Sequence, residues 1–181
     1  MARRLARIAG LPSAARRRLR ARRPSAQSAG MKWLDIPPAW LALALLAAWG
    51  LRGPRLFPRD WIAANRIAEG LGWALVAGGA ALMIWAVLAM TRSRTTPVPH
   101  RQPSALVTDG PFAWSRNPIY LGDAVVLLGA ILIWSAPLAL PVLAAFMWWI
   151  DRHFIAAEEA RLRAGFGAAF EDWAGRVRRW I

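Results

Sequence analysis

Read from charge to charge, the chain is dominated by uncharged stretches. Residues 36–51 form a run of 16 closed by Asp35 and Arg52, residues 70–91 a run of 22 closed by Glu69 and Arg92, and residues 124–150 a run of 27 closed by Asp123 and Asp151. A membrane-spanning helix needs about 20 predominantly apolar residues, with roughly 17–25 usual. The second run is therefore a clean span. The first reaches that length once residues 33–36 are added, with Pro37 and Pro38 in its first turn, where proline costs no intrahelical hydrogen bond. The third is too long for one helix and too short for two. Its middle, Trp134-Ser135-Ala136-Pro137, is a turn signal. It predicts a tight hairpin, with the third helix starting near Asn117–Tyr120 and the fourth ending near Ile155. One long tilted helix over the run is the competing reading. The pattern predicts an all-α integral membrane protein of about four transmembrane helices.

Beyond the last run the period changes. Phe154, Glu158, Leu162, Phe166 and Phe170 recur every four residues, and Trp173, Val177 and Trp180 continue at spacings of four and three. This spacing predicts an amphipathic helix over 162–180, with a break at Gly165 or Gly167. Glu158 falls on the apolar stripe and is predicted to point into the protein. Glu159, four residues before Arg163, is predicted to make a surface pair. An inward carboxylate at a membrane edge is costly without a positive partner. Arg116, Arg152 or a cationic ligand would serve, and a purely structural ion pair is the plainer alternative.

Polar chemistry concentrates in the loop at 91–118. Pro97, Pro99, Pro103, Pro111 and Pro118 forbid a single helix there. Asp109-Gly110-Pro111 is a turn. Arg116-Asn117-Pro118 precedes the third helix, with Pro118 suited to its first position. That helix start offers unsatisfied N–H groups and a positive dipole end to an anionic group.

Composition sharpens this picture. The chain has 181 residues, 57% hydrophobic, above the roughly 45–50% of soluble chains. Lys and Arg number 24 against 10 acids, a net charge of +14, and nine of the Arg fall in residues 1–30, which hold no acid. Residues 1–30 are thus read as a basic, disordered tail and 31–181 as the membrane domain. Met31 offers an alternative start to the chain. The tail lacks the apolar core of a secretory signal and is suited to anionic lipid, at about 1 kcal/mol per basic residue near the surface. With four spans, 20 basic residues lie on the side of both termini and 4 on the other, which predicts cytoplasmic termini. The absence of Cys excludes disulfides, a thiolate nucleophile and a Cys-bound metal, and two His leave too few ligands for a His-based one. No metal is expected. No nucleic-acid-reading module accompanies the charge, so no nucleic-acid partner is expected.

His100, then Leu106-Val107-Thr108-Asp109-Gly110-Pro111-Phe112, then Arg116-Asn117-Pro118-Ile119-Tyr120-Leu121-Gly122, resemble the signature of the isoprenylcysteine carboxyl methyltransferases, a family that overlaps with the phospholipid methyltransferases. Glu158-Glu159, Leu162, Phe166-Gly167, Phe170 and the end Arg176-Val177-Arg178-Arg179-Trp180-Ile181 resemble its second half. The resemblance covers residues 90–181. It departs at Asn117, where the family commonly has His, and at Phe112 and Phe170, where it has Tyr. The resemblance implies a membrane enzyme that uses S-adenosylmethionine on a lipophilic or lipidated substrate entering from the bilayer, with an isoprenylcysteine-like carboxylate as the leading acceptor. It implies a cofactor-binding part at 91–181 in which His100, Leu106, Val107, Thr108, Gly110, Pro111, Arg116, Asn117, Pro118 and Tyr120 cradle the cofactor, and Glu158 and Glu159 supply its acidic side. Arg116, Asn117 and Glu158 are the expected catalytic residues. The Arg/Ala-rich composition suggests a bacterial inner membrane. The alternatives are an NADPH-dependent membrane sterol or steroid reductase, whose C-terminal architecture is related, and a non-catalytic membrane scaffold.

Overall fold

A computed structural model describes residues 36–52, 66–95 and 104–181. The basic tail with its boundary at residue 30, the residues before Ile36 that were added to the first span, and His100 lie outside the described residues. Helix α1 runs over Pro37–Gly50, α2 over Arg66–Arg92, α3 over Pro118–Ile133, α4 over Leu140–Ile150, α5 over Ala156–Phe166 and α6 over Ala168–Arg176. Short 3-10 turns at Gly110–Ala113 and Pro137–Ala139 precede α3 and α4, and a π turn at Asp151–Ile155 joins α4 to α5. The described residues contain no strand.

Among the described residues, two helical stretches are long and apolar enough to cross a membrane: Arg66–Arg92, with 27 residues, and Pro137–Phe166, with 30. Pro37–Gly50 and Pro118–Ile133 are apolar but shorter. At 1.5 Å per residue α2 is about 40 Å long. Only Gly72, Gly79 and Ala86 of α2 are buried, while Ile67, Leu71, Trp73, Ile84, Trp85 and Leu88 are exposed. A helix that turns large apolar side chains outward all round is suited to lipid rather than water.

What α2 buries is its glycine seam with α3. A Cβ on Gly79 would lie 2.7 Å from the carbonyl oxygen of Gly122, and one on Gly129 would lie 2.6 Å from that of Gly72. Gly72 and Gly79 thus face Gly129 and Gly122, in opposite order, and the two helices run antiparallel with their backbones in close approach. Lipid tails are as apolar as leucine, so helices in a bilayer associate through close packing, for which small residues are required.

The predicted hairpin is present. Ser135 takes φ 49°, and the N–H groups of Trp134, Ser135 and Ala136 close the end of α3 on the carbonyls of Ala130, Leu132 and Ile131. This turn overturns the competing single long helix. The fourth helix, however, does not end near Ile155: α4, the π turn and α5 form one helical stretch to Phe166. The break comes at Gly167, with φ 51° and ψ −122°, and α6 stops at Arg176 rather than Trp180.

Two apolar cores result. One joins α1, α3 and α4 through Ala48, Leu127, Ile131, Phe146 and Ile150. The other lies at the α2 end that carries Ala86 and holds Val107 and Phe112 of the loop against Phe170, Trp173 and Val177. The site described next lies where the chain passes between them.

Candidate active site

Two consecutive glutamates at the start of α5 have different fates. Glu158 is half-buried and accepts a hydrogen bond from the Tyr120 hydroxyl, 2.8 Å from Oε1. Glu159 is the buried one, at 5% exposure. It lies between two guanidiniums: Arg116 Nη2 is 3.1 Å from Oε1 and Arg179 Nη2 is 2.5 Å from Oε2. The sequence expectation that Glu158 points inward and Glu159 makes a surface pair is thus corrected. Arg163 pairs with Glu171 instead, with both side chains more than half exposed. The reason is the π turn. Ile150 and Ile155 are both fully buried, five residues apart, and Glu159 follows four further on. One extra residue in the turn rotates everything after it by one position, so the inward stripe passes to Glu159.

Around Glu159 the polar groups close into a cluster. Arg179 Nη1 donates to both oxygens of Asp151 at 3.2 Å. Arg116 Nη1 donates to the Ala174 carbonyl at 3.0 Å, and its backbone N–H to the Arg178 carbonyl at 3.0 Å. Asn117 Nδ2 donates to the Arg179 carbonyl at 2.9 Å. Two acids balance two guanidiniums, so the cluster is neutral as a whole. The fork geometry of arginine lets each guanidinium serve two partners. Hydrogen bonding to Glu159 first, and the nearby acids after it, raise the pKa of Arg179 and keep it charged. One donor is left over: Arg116 Nε is buried and has no hydrogen-bond partner among the described residues.

Asn117 sits at the N-cap of α3 and Pro118 at its first position, as expected, yet Asn117 makes no capping bond. Its side chain is spent on the C-terminal segment. The first-turn N–H groups of α3 are therefore not satisfied by Asn117. Tyr120 lies on the buried face of the same helix, and Asp123, 5% exposed, follows one turn later.

The structure thus brings Arg116, Asn117, Pro118, Tyr120, Glu158 and Glu159 together. The remaining expected residues fall elsewhere. Val107 is buried and Leu106 half-buried in the core with Phe112, Phe170 and Trp173, whose indole N–H donates to the Phe112 carbonyl at 3.1 Å. Pro111 is buried, and Thr108 and Gly110 are exposed, Gly110 with φ 58° beside the Trp85 indole. Arg152 is exposed, and His153 stacks on Trp149 with ring centroids 3.5 Å apart. Asp151 and Arg179 are not among the expected site residues. The family-like end Arg176–Ile181 is the one sequence signal that includes Arg179, and it does not separate Arg179 from Arg176 or Arg178.

Residues 67–169 match the family model for phospholipid methyltransferases. That is more than half of the chain, and the chain belongs to this family of membrane methyltransferases. It is also similar to the protein-S-isoprenylcysteine O-methyltransferase of Tribolium castaneum, at 33% identity over 72 residues. The similarity covers 40% of this chain and 26% of that relative, so the chain spans about a quarter of the relative's length. The family match takes in Arg116, Tyr120, Asp151, Glu158 and Glu159 and stops short of Arg179.

Proposed function

We propose that this protein transfers a methyl group from S-adenosylmethionine to a polar atom of a lipophilic acceptor at the edge of a membrane. A carboxylate like that of an isoprenylcysteine is the leading acceptor, on the strength of the relative's name. In this reading the chain crosses the membrane four times, with both termini and the site on the cytoplasmic side.

The observation that carries the reading is the Tyr120–Glu158 pair, which joins the start of α3 to the start of α5 inside the family match. The residues present fit the cofactor by their chemistry. Glu158 offers a half-buried carboxylate to an ammonium. The orphaned Arg116 Nε and the uncapped start of α3 offer donors to a carboxylate. The ring of Tyr120 is suited to a cation by cation–π attraction. When bound, S-adenosylmethionine supplies an electrophilic methyl group. The protein's own work is alignment and exclusion of water, for which apolar walls and fixed donors suffice. No covalent nucleophile is needed, in keeping with a Cys-free chain.

The test is binding of S-adenosylmethionine and, separately, NADPH to detergent-purified protein, with Glu158→Ala as the control. Saturable S-adenosylmethionine binding lost in the variant is expected, followed by labelled-methyl transfer to an N-acetyl prenylcysteine or to lipid extracts. Folded protein that ignores S-adenosylmethionine would remove the reading, and NADPH binding would replace it with the reductase.

A further inference from the structure

Arg179 reaches both helical segments that carry the Tyr120–Glu158 pair, one with its side chain and the other with its backbone carbonyl. Its Nη2 holds Glu159, the neighbour of Glu158. Its Nη1 holds Asp151 at the start of the π turn that fixes which glutamate faces inward. Its carbonyl oxygen accepts from Asn117 Nδ2, three residues before Tyr120 on the other helix. The neighbouring carbonyl, that of Arg178, takes the N–H of Arg116. The segment carrying these contacts lies outside any helix, beyond the end of α6, and has no regular hydrogen-bond ladder of its own to hold it there.

From this we infer that Arg179, anchored by Asp151, is a positioning residue for the cofactor site: it clasps residues 115–117 to the start of α5 and so sets Tyr120 against Glu158. The inference rests on the reading above and deepens it. Arg179 does not touch the reacting atoms. Its role passes through Glu159 and Asn117, and Arg116 completes the clasp from the loop side. The geometry gives the reason for a charged clasp here. Both helices begin at what that reading makes a membrane edge, and a bidentate guanidinium fixes distance and angle more closely than the apolar packing beside it. Displacement of a binding group by about 1 Å can cost on the order of a hundredfold in rate even from a remote change.

The experiment uses the full chain in detergent with Asp151→Asn, Arg179→Lys and Arg179→Ala. Three quantities are read: the melting temperature without ligand, the amide hydrogen exchange of residues 116–121 and 156–160, and the Kd for S-adenosylmethionine. Asp151→Asn keeps the shape and removes one charge, so it remains informative if Arg179→Ala does not fold. The expected result is faster exchange at both segments with a Kd raised about tenfold or more in Arg179→Ala. Arg179→Lys restores part of both, and the melting temperature of Asp151→Asn stays close to that of the parent. Unchanged exchange and unchanged Kd in folded Asp151→Asn and Arg179→Ala overturn the clasp. So does an affinity that falls only in step with the melting temperature, because that is loss of fold rather than of position. If the parent protein itself fails to bind S-adenosylmethionine, the methyltransferase reading fails, and the positioning role fails with it whatever the exchange rates.

Discussion

Gly78 and Gly79 are consecutive, and the structure predicts opposite consequences for the same substitution. A methyl group on Gly78 would meet nothing within 4 Å, whereas one on Gly79 would sit 2.7 Å from the Gly122 carbonyl oxygen and 2.9 Å from Val126 Cγ2. Even a close C–H···O contact keeps carbon and oxygen about 3.3 Å apart, so Gly79→Ala must part α2 from α3 by about 0.6 Å. The obstacle is backbone, which cannot swing aside. A gap of 0.5–1 Å forfeits roughly a quarter to a half of each dispersion contact it opens, and this seam is nearly all that α2 buries. Overpacking of this kind costs about 1–3 kcal/mol. Gly78→Ala meets no obstacle and gains up to about 1 kcal/mol from helix propensity. The two variants should therefore differ by about 2 kcal/mol, with opposite signs relative to the parent. Unfolding in mixed micelles, followed by circular dichroism as the fraction of dodecyl sulfate rises, measures both against the parent. If Gly79→Ala unfolds no earlier than Gly78→Ala, the seam is not the contact described here. The same displacement would also move Gly122 and with it Tyr120, two residues earlier, so weakened cofactor binding is expected alongside.

Further outcomes follow from the site. Glu159→Gln removes the charge that both Arg116 and Arg179 share. It should cost roughly 3 kcal/mol, the low end for breaking a buried pair because Arg179 is partly exposed, as read from chemical unfolding. Tyr120→Phe deletes the hydroxyl that meets Glu158 and should cost about 1.5 kcal/mol of stability, the low end for a hydrogen bond to a charged group. It should also weaken S-adenosylmethionine binding, measurable by calorimetry. Gly167→Ala places a side chain at φ 51° and ψ −122°, backbone that side chains rarely adopt, and should lower the melting temperature, at about 1–3 kcal/mol. Asp123 makes no hydrogen bond or ion pair among the described residues, so Asp123→Asn should melt no lower than the parent. A loss of stability there would mean that the carboxylate has a partner in the folded protein.

Much of the architecture was legible because its causes are local. Uncharged runs set by Asp35, Glu69, Arg92 and Asp151 became helices, since apolar length and breakers are properties of short segments. Trp134-Ser135-Ala136-Pro137 became the turn, since a proline and small polar residues stop a helix wherever they fall. Asn117 and Pro118 took the helix start for the same kind of reason. What was not legible depends on contacts between distant segments. The glycines at 72, 79, 122 and 129 carry a seven-residue spacing in each helix, but only the antiparallel pairing brings the two sets face to face. Arg179 is 20 residues from Glu159 and 28 from Asp151, and nothing local distinguishes it from Arg178, whose side chain is exposed.

The exchange of roles between Glu158 and Glu159 is a different kind of failure. A four-residue period carried from Phe154 to Phe170 assumes that each residue adds the same 100° of rotation. The π turn adds one residue without adding that face, and both Phe154 and Ile155 turn inward there. Every residue after it is one step out of phase with the helix before it, until Gly167 ends the helix and the count begins again. The residues of the turn, Asp151-Arg152-His153-Phe154-Ile155, are ordinary helix residues, and no proline or glycine marks the place. What holds Asp151 in position is Arg179, from a segment that follows two helices later. The local count therefore fails at the point where a long-range contact takes over the backbone. That is also where the two carboxylates are divided, one turned into the clasp and one turned to Tyr120. A sequence period can announce that a carboxylate faces inward at this edge. Which of two neighbours does so follows from the extra residue of the π turn, and the one that turns in meets a charge 20 residues further along the chain.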